Sequence, residues 1–247
     1  MLLHKESASQ GNWLFRWRSY IPLVVIPLMI PPLLEYSYPH ESHTCDQLWE
    51  IACLSLSLLG LAIRAITVGF VPGGTSGRNT RSQIADSLNT TGIYSVMRNP
   101  LYVGNFFMML GVVMFLQSFW LGLTFSVLFW FYYERIILAE EAFLLAKFGE
   151  EYERYADRTP ALIPRFRGWI RPELPFSLRT VLRREYSSLF ALITCFFTVE
   201  VLTDLVNSGR FEFDVFWLIV FALAALTYLT LRTLKKRTTL LNVEGRY

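Results

Sequence analysis

The sequence predicts an all-α fold: a polytopic membrane helix bundle of about six transmembrane helices. Three observations carry that prediction. Of 247 residues, 53% are hydrophobic and only 17% charged, against roughly 25% charged in an ordinary soluble domain. Several stretches run without charge for about the 20 residues that a helix needs to cross some 30 Å of hydrocarbon. The basic residues gather on one side of the implied topology. Phe (20), Tyr (12) and Trp (7) exceed what a soluble surface of this size needs. Three cysteines (Cys45, Cys53, Cys195) with no CxxC pair exclude a disulfide scaffold and a zinc ribbon. Three histidines (His4, His40, His43) argue against a multi-histidine metal site. A net charge of +3 gives nucleic-acid binding no support.

Taken in order, the segment 19–34 is uncharged but holds Pro22, Pro27, Pro31 and Pro32, which predict kinks. The segment 48–70 is apolar, with Glu50 near one end and Arg64 near the other. Asn99 to Tyr133 is uncharged throughout. As one helix that run would be about 52 Å long, too long for a single span. Gln117 and Ser118 divide it, so it reads as a helical hairpin with spans near 101–116 and 119–138. The segment 186–199 is uncharged and then meets Glu200 and Asp204. The run 215–231 is bracketed by Asp214 and Arg232.

With the N-terminus inside, six spans place 20 of the 23 Lys and Arg residues on the cytoplasmic side. Arg64 and Arg135 fall at inner ends of spans, and Arg210 is the exception. The outer loop 35–47 carries Glu35, Glu41 and Asp46 instead. The expected location is therefore a multi-pass protein of a bacterial inner membrane or the endoplasmic reticulum, with both termini cytoplasmic. No cleavable leader is expected, because residues 1–18 are polar and basic. The sequon Asn89-Thr90-Thr91 faces the cytoplasm in this topology and reads as coincidental. Three regions follow: N-terminal membrane helices (1–70), a core with the hairpin and its cytoplasmic flanks (71–184), and C-terminal membrane helices (185–247).

The two inner segments flanking the hairpin are too polar for core and too aromatic for linker. In the first, 73–104, Arg98-Asn99-Pro100 ends a loop and starts a helix, with Tyr102 and Gly104 on its opening turn. In the second, 134–166, Glu141, Leu145, Phe148, Tyr152 and Tyr155 are spaced by 4, 3, 4 and 3, which puts them on one helix face. Glu140, Lys147, Glu151, Arg154 and Arg158 fall on the solvated face. Glu141 is then the odd acid on an aromatic face, where a carboxylate needs a cation or a donor. Two readings are open at this point. The helix lies on the membrane surface with Glu141 bridged to a structural arginine, or these residues line a pocket that faces the hairpin. Likewise Arg98 is either a positive-inside anchor or a ligand group.

The run LNTTGIYSVMRNPLYVG, the pair Glu140-Glu141, the run FGEEYERY and the P-x-x-x-P after it resemble the membrane methyltransferase family. That family includes isoprenylcysteine carboxyl methyltransferases and phospholipid N-methyltransferases. Its pattern is roughly G-x-Y-x-x-x-R-H-P-x-Y-x-G, a hairpin, then E-E-x-x-L-x-x-x-F-G-x-x-Y-x-x-Y. The match covers about residues 85–166. The resemblance implies S-adenosyl-L-methionine as methyl donor, bound on the cytoplasmic side. It carries Gly92, Tyr94, Arg98, Asn99, Pro100 and Tyr102 over from the first motif, and Glu140, Glu141, Phe148, Gly149, Tyr152 and Tyr155 from the second. Arg98 and Glu141 would be the catalytic pair and the others cofactor contacts. The family's histidine is Asn99 here, which hydrogen-bonds but cannot titrate as a base.

The expected reaction is therefore methyl transfer to a lipid or lipidated substrate that enters from the bilayer, at a carboxylate or phosphate oxygen. Such an acceptor needs no general base. The basic run Arg165, Arg167, Arg171 and Arg179 suits an anionic membrane surface, and Arg78 and Arg81 are further headgroup contacts. Three alternatives are phospholipid amine N-methylation, a nicotinamide-dependent sterol-type reductase sharing R-x-P-x-Y-x-G, and a transporter or scaffold. The last would use Glu50, Arg64, Glu200 and Asp204 as intramembrane charges, although all four sit near span ends where snorkelling to water is easy.

Overall fold

The computed structural model describes residues 11, 13–17, 20–36, 43–73, 85–211 and 213–246. Arg78 and Arg81 lie outside these residues. Seven α-helices are named here: α1 (Ile21–Leu34), α2 (His43–Phe70), α3 (Pro100–Met114), α4 (Phe119–Phe148), α5 (Glu150–Arg158), α6 (Leu178–Ser208) and α7 (Val215–Arg237). The described residues contain no strand. The chain is an all-α membrane protein. Four helices, α2, α4, α6 and α7, are long and apolar enough to cross a bilayer. α1 and α3 are apolar but shorter, with 14 and 15 residues. They rise only about 21–22 Å, less than the hydrocarbon thickness. The expectation of six spans thus becomes four full-length helices and two short ones.

α1 runs on through Pro27, Pro31 and Pro32. The hairpin forms as expected, with α3 and α4 joined through Phe115–Ser118. Ser118 caps α4 by accepting the Leu121 N–H, and Gln117 turns the chain at φ 55°. α4 continues ten residues beyond the expected 138. α6 starts eight residues before the expected 186, where the Ser177 hydroxyl caps it by accepting from Thr180.

α2 packs most extensively on α3, α6 packs on α7, and α2 also touches α6. The α2–α3 seam is built from small residues. A Cβ added at Gly60 would collide with the Gly104 carbonyl and Met108, and one at Gly111 with Ser57 and the Cys53 carbonyl. Backbones this close are how membrane helices gain contact where water expulsion offers little drive. The Ser57 hydroxyl donates to the Met108 carbonyl across the seam at 2.8 Å. The core lies toward the middle and one end of the bundle, around Phe115, Phe125, Phe196 and Trp217. α7 shows apolar side chains outward, including Leu223, Leu226 and Leu229, as lipid contact requires.

The two ends of the bundle differ. At one end Asp46 accepts from Tyr36 and Gln117, both at 2.7 Å, and Glu50 accepts from the Trp217 indole at 3.0 Å. Glu50 also hydrogen-bonds Glu200. At the other end the strands of chain leaving α2, entering α3, leaving α4 and entering α6 converge with the C-terminal tail. Gly73 N–H donates to Gly245, Ser177 N–H donates to Gly69, and the Arg246 guanidinium bonds the Gly69 and Pro175 carbonyls. Glu50, Arg64 and Glu200 do not snorkel, contrary to expectation. Glu50 and Glu200 are buried, Arg64 is largely so, and all three are paired inside the bundle. Glu50 and Arg64 stand 14 positions apart on α2, about 21 Å along its axis.

Candidate functional site

At the convergent end, the residues before α3 run alongside those after α5. Gly92 opens a 3-10 turn, Gly92–Ser95, at φ 61°, a conformation that favours glycine. Its N–H donates to the Ile170 carbonyl at 2.9 Å. The Ser95 hydroxyl donates to the Gly92 carbonyl and accepts the Ile170 N–H. Farther along, Arg165 N–H donates to Val96, Arg98 N–H to Pro160, and Asn99 N–H to Ala161. Pro100, fully buried, then starts α3 with its φ already helical.

This pairing brings Arg98 against the second segment. Its Nη1 donates to the Ala156 and Thr159 carbonyls at 2.7 and 3.1 Å. These are orphan acceptors at the end of α5, which a cation satisfies well. Its Nη2 lies 2.8 Å from Glu141 Oε1. That approach is close but falls outside hydrogen-bond geometry, so Glu141 Oε1 and Arg98 Nε are buried without hydrogen-bond partners. Buried polar atoms are nearly always satisfied, so an acceptor and a donor without hydrogen bonds in one ion pair make this pair a candidate for a ligand's contact.

Tyrosines enclose the pair. Tyr152, buried, hydrogen-bonds Glu141 through its hydroxyl. The Tyr155 hydroxyl donates to the Tyr94 carbonyl at 2.8 Å, and its ring lies 6.1 Å from that of Tyr152. Burial is the main cause that pushes the Tyr152, Tyr155 and Tyr94 hydroxyls above their ordinary range. Negative neighbours add to it, Glu141 at Tyr152 and Glu140 at Tyr94. All three rings are therefore neutral walls at physiological pH. Tyr102, also buried, donates to Glu140 Oε1 at 2.8 Å.

The expected site residues thus fall into groups. Arg98, Glu141 and Tyr152 meet directly, Tyr155 packs near Tyr152 and bonds the Tyr94 carbonyl, and Tyr102 meets Glu140. Gly92, Asn99 and Pro100 shape the backbone, with the Asn99 amide donating to the Ala161 carbonyl at 3.2 Å. Phe148 and Gly149 stand at a joint between α4 and α5, where Gly149 adopts φ 54° and ψ −130°. The single amphipathic helix expected within 134–166 is in fact two. Leu145 misses the shared face and is exposed, and Glu140 turns inward instead of to solvent; both precede the joint, on α4. Sequence reasoning passed over Tyr133, whose ring lies 4.8 Å from that of Tyr102, and the carbonyls of Ala156 and Thr159. Main-chain acceptors leave no side-chain signature, although the P-x-x-x-P at Pro160 and Pro164 marks the segment that supplies them.

The model of the phospholipid methyltransferase family matches residues 53–151. A protein-S-isoprenylcysteine O-methyltransferase of Schizosaccharomyces pombe is 43% identical over 77 residues, 31% of this chain and 33% of that protein. The chain thus spans a third of the length of that relative. The cobalt-zinc-cadmium resistance protein CzcN of Cupriavidus metallidurans is 31% identical over 64% of this chain and 69% of its own length. A probable protein-S-isoprenylcysteine O-methyltransferase of Oryza sativa is 30% identical over 56% of this chain and 67% of its own. No solved structure matches the chain. With the matched region running from α2 to the start of α5, across both flanks of the Arg98–Glu141 pair, the chain belongs to the membrane methyltransferase family of isoprenylcysteine and phospholipid type.

Proposed function

We propose that this protein transfers a methyl group from S-adenosyl-L-methionine to a carboxylate or phosphate oxygen of a lipid-like acceptor, with a prenylcysteine-like carboxylate preferred. The observation that carries this reading is the half-buried Arg98–Glu141 ion pair, in which Glu141 Oε1 and Arg98 Nε have no hydrogen-bond partner. The methionine part of the donor is a zwitterion, so the residues fit it. Glu141 Oε1 would accept from its ammonium, and Arg98 Nε would donate to its carboxylate. When bound, the donor supplies an electrophilic methyl group on a sulfonium. Tyr152 and Tyr155 would offer neutral ring faces to that cation, a contact worth about 0.5–2 kcal/mol. Because Nη1 is held by the Ala156 and Thr159 carbonyls and Nη2 lies against Glu141, Arg98 does not present a free bidentate fork. Its first task is to hold the two segments at the right separation.

The acceptor class follows from what the chain lacks. A carboxylate or phosphate arrives already anionic, so nothing has to remove a proton. The position beside Arg98 is Asn99, and all three histidines precede residue 44. An isoprenylcysteine O-methyltransferase, as two of the relatives are named, acts at such an oxygen. A groove of about 530 Å³ between α1 and α4, lined by Val24, Leu28, Phe125, Phe129 and Tyr132 with Arg135 at one end, supports a lipid tail approaching from the bilayer. Phe129 contacts the Tyr133 ring at 4.3 Å and Tyr133 contacts Tyr102, so a wall of rings leads from that groove to Glu140. The excess of Lys and Arg at the site end supports a cytoplasmic site with both termini inside.

The test uses purified protein in detergent. S-adenosylhomocysteine at 100 times its Kd should stabilise the fold by about 2.7 kcal/mol, read as a rise in Tm, and the phosphorylated nicotinamide should not. Labelled donor should then mark a farnesylated cysteine in preference to phosphatidylethanolamine or a lipid phosphate. Glu141→Ala should fold yet lose both signals. Stabilisation by the nicotinamide alone would instead favour the reductase, and a fully active Glu141→Ala would remove the assigned role.

A further inference from the structure

Arg64, Asn105 and Glu185 form a polar cluster that no part of the proposed reaction uses. We propose that it is a positioning triad that sets the depth and rotation of the first turn of α3, and through it Tyr102. The proposal rests on the methyl-transfer reading for its purpose, though not for its geometry. Arg64 Nε and Nη2 donate to the two oxygens of Glu185 at 3.0 and 2.8 Å, and Nη1 donates to Asn105 Oδ1 at 2.6 Å. The Arg64 and Glu185 side chains are 12% and 5% exposed. Three helices meet in one planar group: α2 through Arg64, α3 through Asn105 and α6 through Glu185.

All three guanidinium nitrogens are engaged, so Arg64 is not a grip for an outside anion. What it does instead follows from its path. Its stem lies across Gly104. A Cβ there would stand 2.6 Å from Arg64 Cγ and 2.8 Å from the Gly60 carbonyl. Gly104 is therefore the gap through which Arg64 reaches Asn105. Asn105 follows Tyr102 by three residues, close to one helical turn, so both lie on the same side of α3. Tyr102 in turn holds Glu140. The first turn of α3 has no side-chain cap; the backbone bonds of Arg98 and Asn99 hold the chain before it, and the Asn105 bond to Arg64 adds a tether on the bundle side.

Stability alone does not explain the triad. Replacing a buried ion pair by apolar residues of similar size is often neutral or stabilising, whereas fixing register is its best-attested use. A positioning role and a merely structural one therefore part company in a suitable variant.

Asn105→Ala removes the α3 leg and leaves the Arg64–Glu185 pair in place. We expect Tm to stay within a few degrees of wild type. Hydrogen exchange over residues 98–108 should rise about tenfold, and affinity for S-adenosylhomocysteine should fall about tenfold. Asn105→Asp, which can accept the same N–H, should restore both. The apolar double variant Arg64→Met/Glu185→Leu should fold with an unchanged or higher Tm and show the same two losses. Wild-type exchange over 98–108 in either destabilised-leg variant overturns the proposal. If wild-type protein gains no stability from S-adenosylhomocysteine, the methyl-transfer reading falls, and the exchange arm still decides the positioning.

Discussion

At the scale of single residues, the site depends on two kinds of position: buried hydroxyls and one strained glycine. Tyr94, Tyr152 and Tyr155 have their ionisation raised above the ordinary value of about 10, first by burial. Their folded-state values exceed the unfolded one. Their contribution to stability is therefore full below about pH 10 and is lost as pH rises from there through the folded values. Absorbance at 295 nm along an alkaline titration should show exposed tyrosines ionising near pH 10 and a later group ionising together with loss of fold. A single transition near pH 10 for all 12 tyrosines would contradict this. Gly149 is the other case. A Cβ there would meet nothing within 4 Å, so the cost of Gly149→Ala is the backbone conformation alone, about 1–3 kcal/mol. The variant should lower Tm by that amount and weaken S-adenosylhomocysteine binding, because Tyr152 is placed on Glu141 by this joint. Leu145 and Glu140 were misplaced within α4 itself, where Leu145 faces outward and Glu140 is held by Tyr102. A helical wheel assumes one phase, and the glycine at positive φ resets it only for the residues of α5. Glu141, Tyr152 and Tyr155 still came together because the joint folds α5 back toward the same side.

At the scale of elements, hydropathy located the hairpin turn and the start of α7 well because they coincide with changes in polarity. It shortened α4, α6 and the end of α7 because those ends are helical but polar. The first turns of α6 hold Arg179, Arg183, Arg184 and Glu185, and Glu185 is buried against Arg64. No window of apolar residues reports a helix held by an ion pair. The α2–α3 seam was likewise silent in the sequence, since Gly60 and Gly111 read as ordinary helical glycines. The seam makes a firm prediction. Gly60→Leu would drive a side chain into the Gly104 carbonyl and Met108, neither of which can give way without moving α3. Overpacking of this kind costs about 1–3 kcal/mol even where neighbours relax, and backbone on the far side makes the upper end the expectation. The neighbouring Leu59, half exposed to lipid, should accept Ala with little loss. Thermal unfolding in detergent compares the two, and equal destabilisation would count against the close seam.

At the scale of the whole molecule, the two ends of the bundle carry different chemistry. Asp46, Glu50, Glu200 and Asp214 cluster at one end. At the other end Arg98, Arg165, Arg246 and the tyrosine-lined pair converge. The sequence anticipated this sidedness, because each helix reverses direction and charges therefore alternate between ends along the chain. It missed that the end-lying charges are paired inside, which requires knowing which helices touch. The cysteines turn sidedness into a measurement. Cys45 is exposed near the acidic end, Cys53 is buried, and Cys195 lies well inside α6, where an apolar helix faces lipid. Ile163, 82% exposed, lies in the segment at the site end. In sealed vesicles of known orientation, a membrane-impermeant maleimide added outside should label Cys45 of the wild-type protein. In a Cys45→Ser background, Ile163→Cys should react only after the vesicles are permeabilised. Labelling of Ile163→Cys from outside, with Cys45 protected, would invert the proposed topology. It would put the methyl-donor site on a face where S-adenosyl-L-methionine is not made, and the proposed function would fall with it.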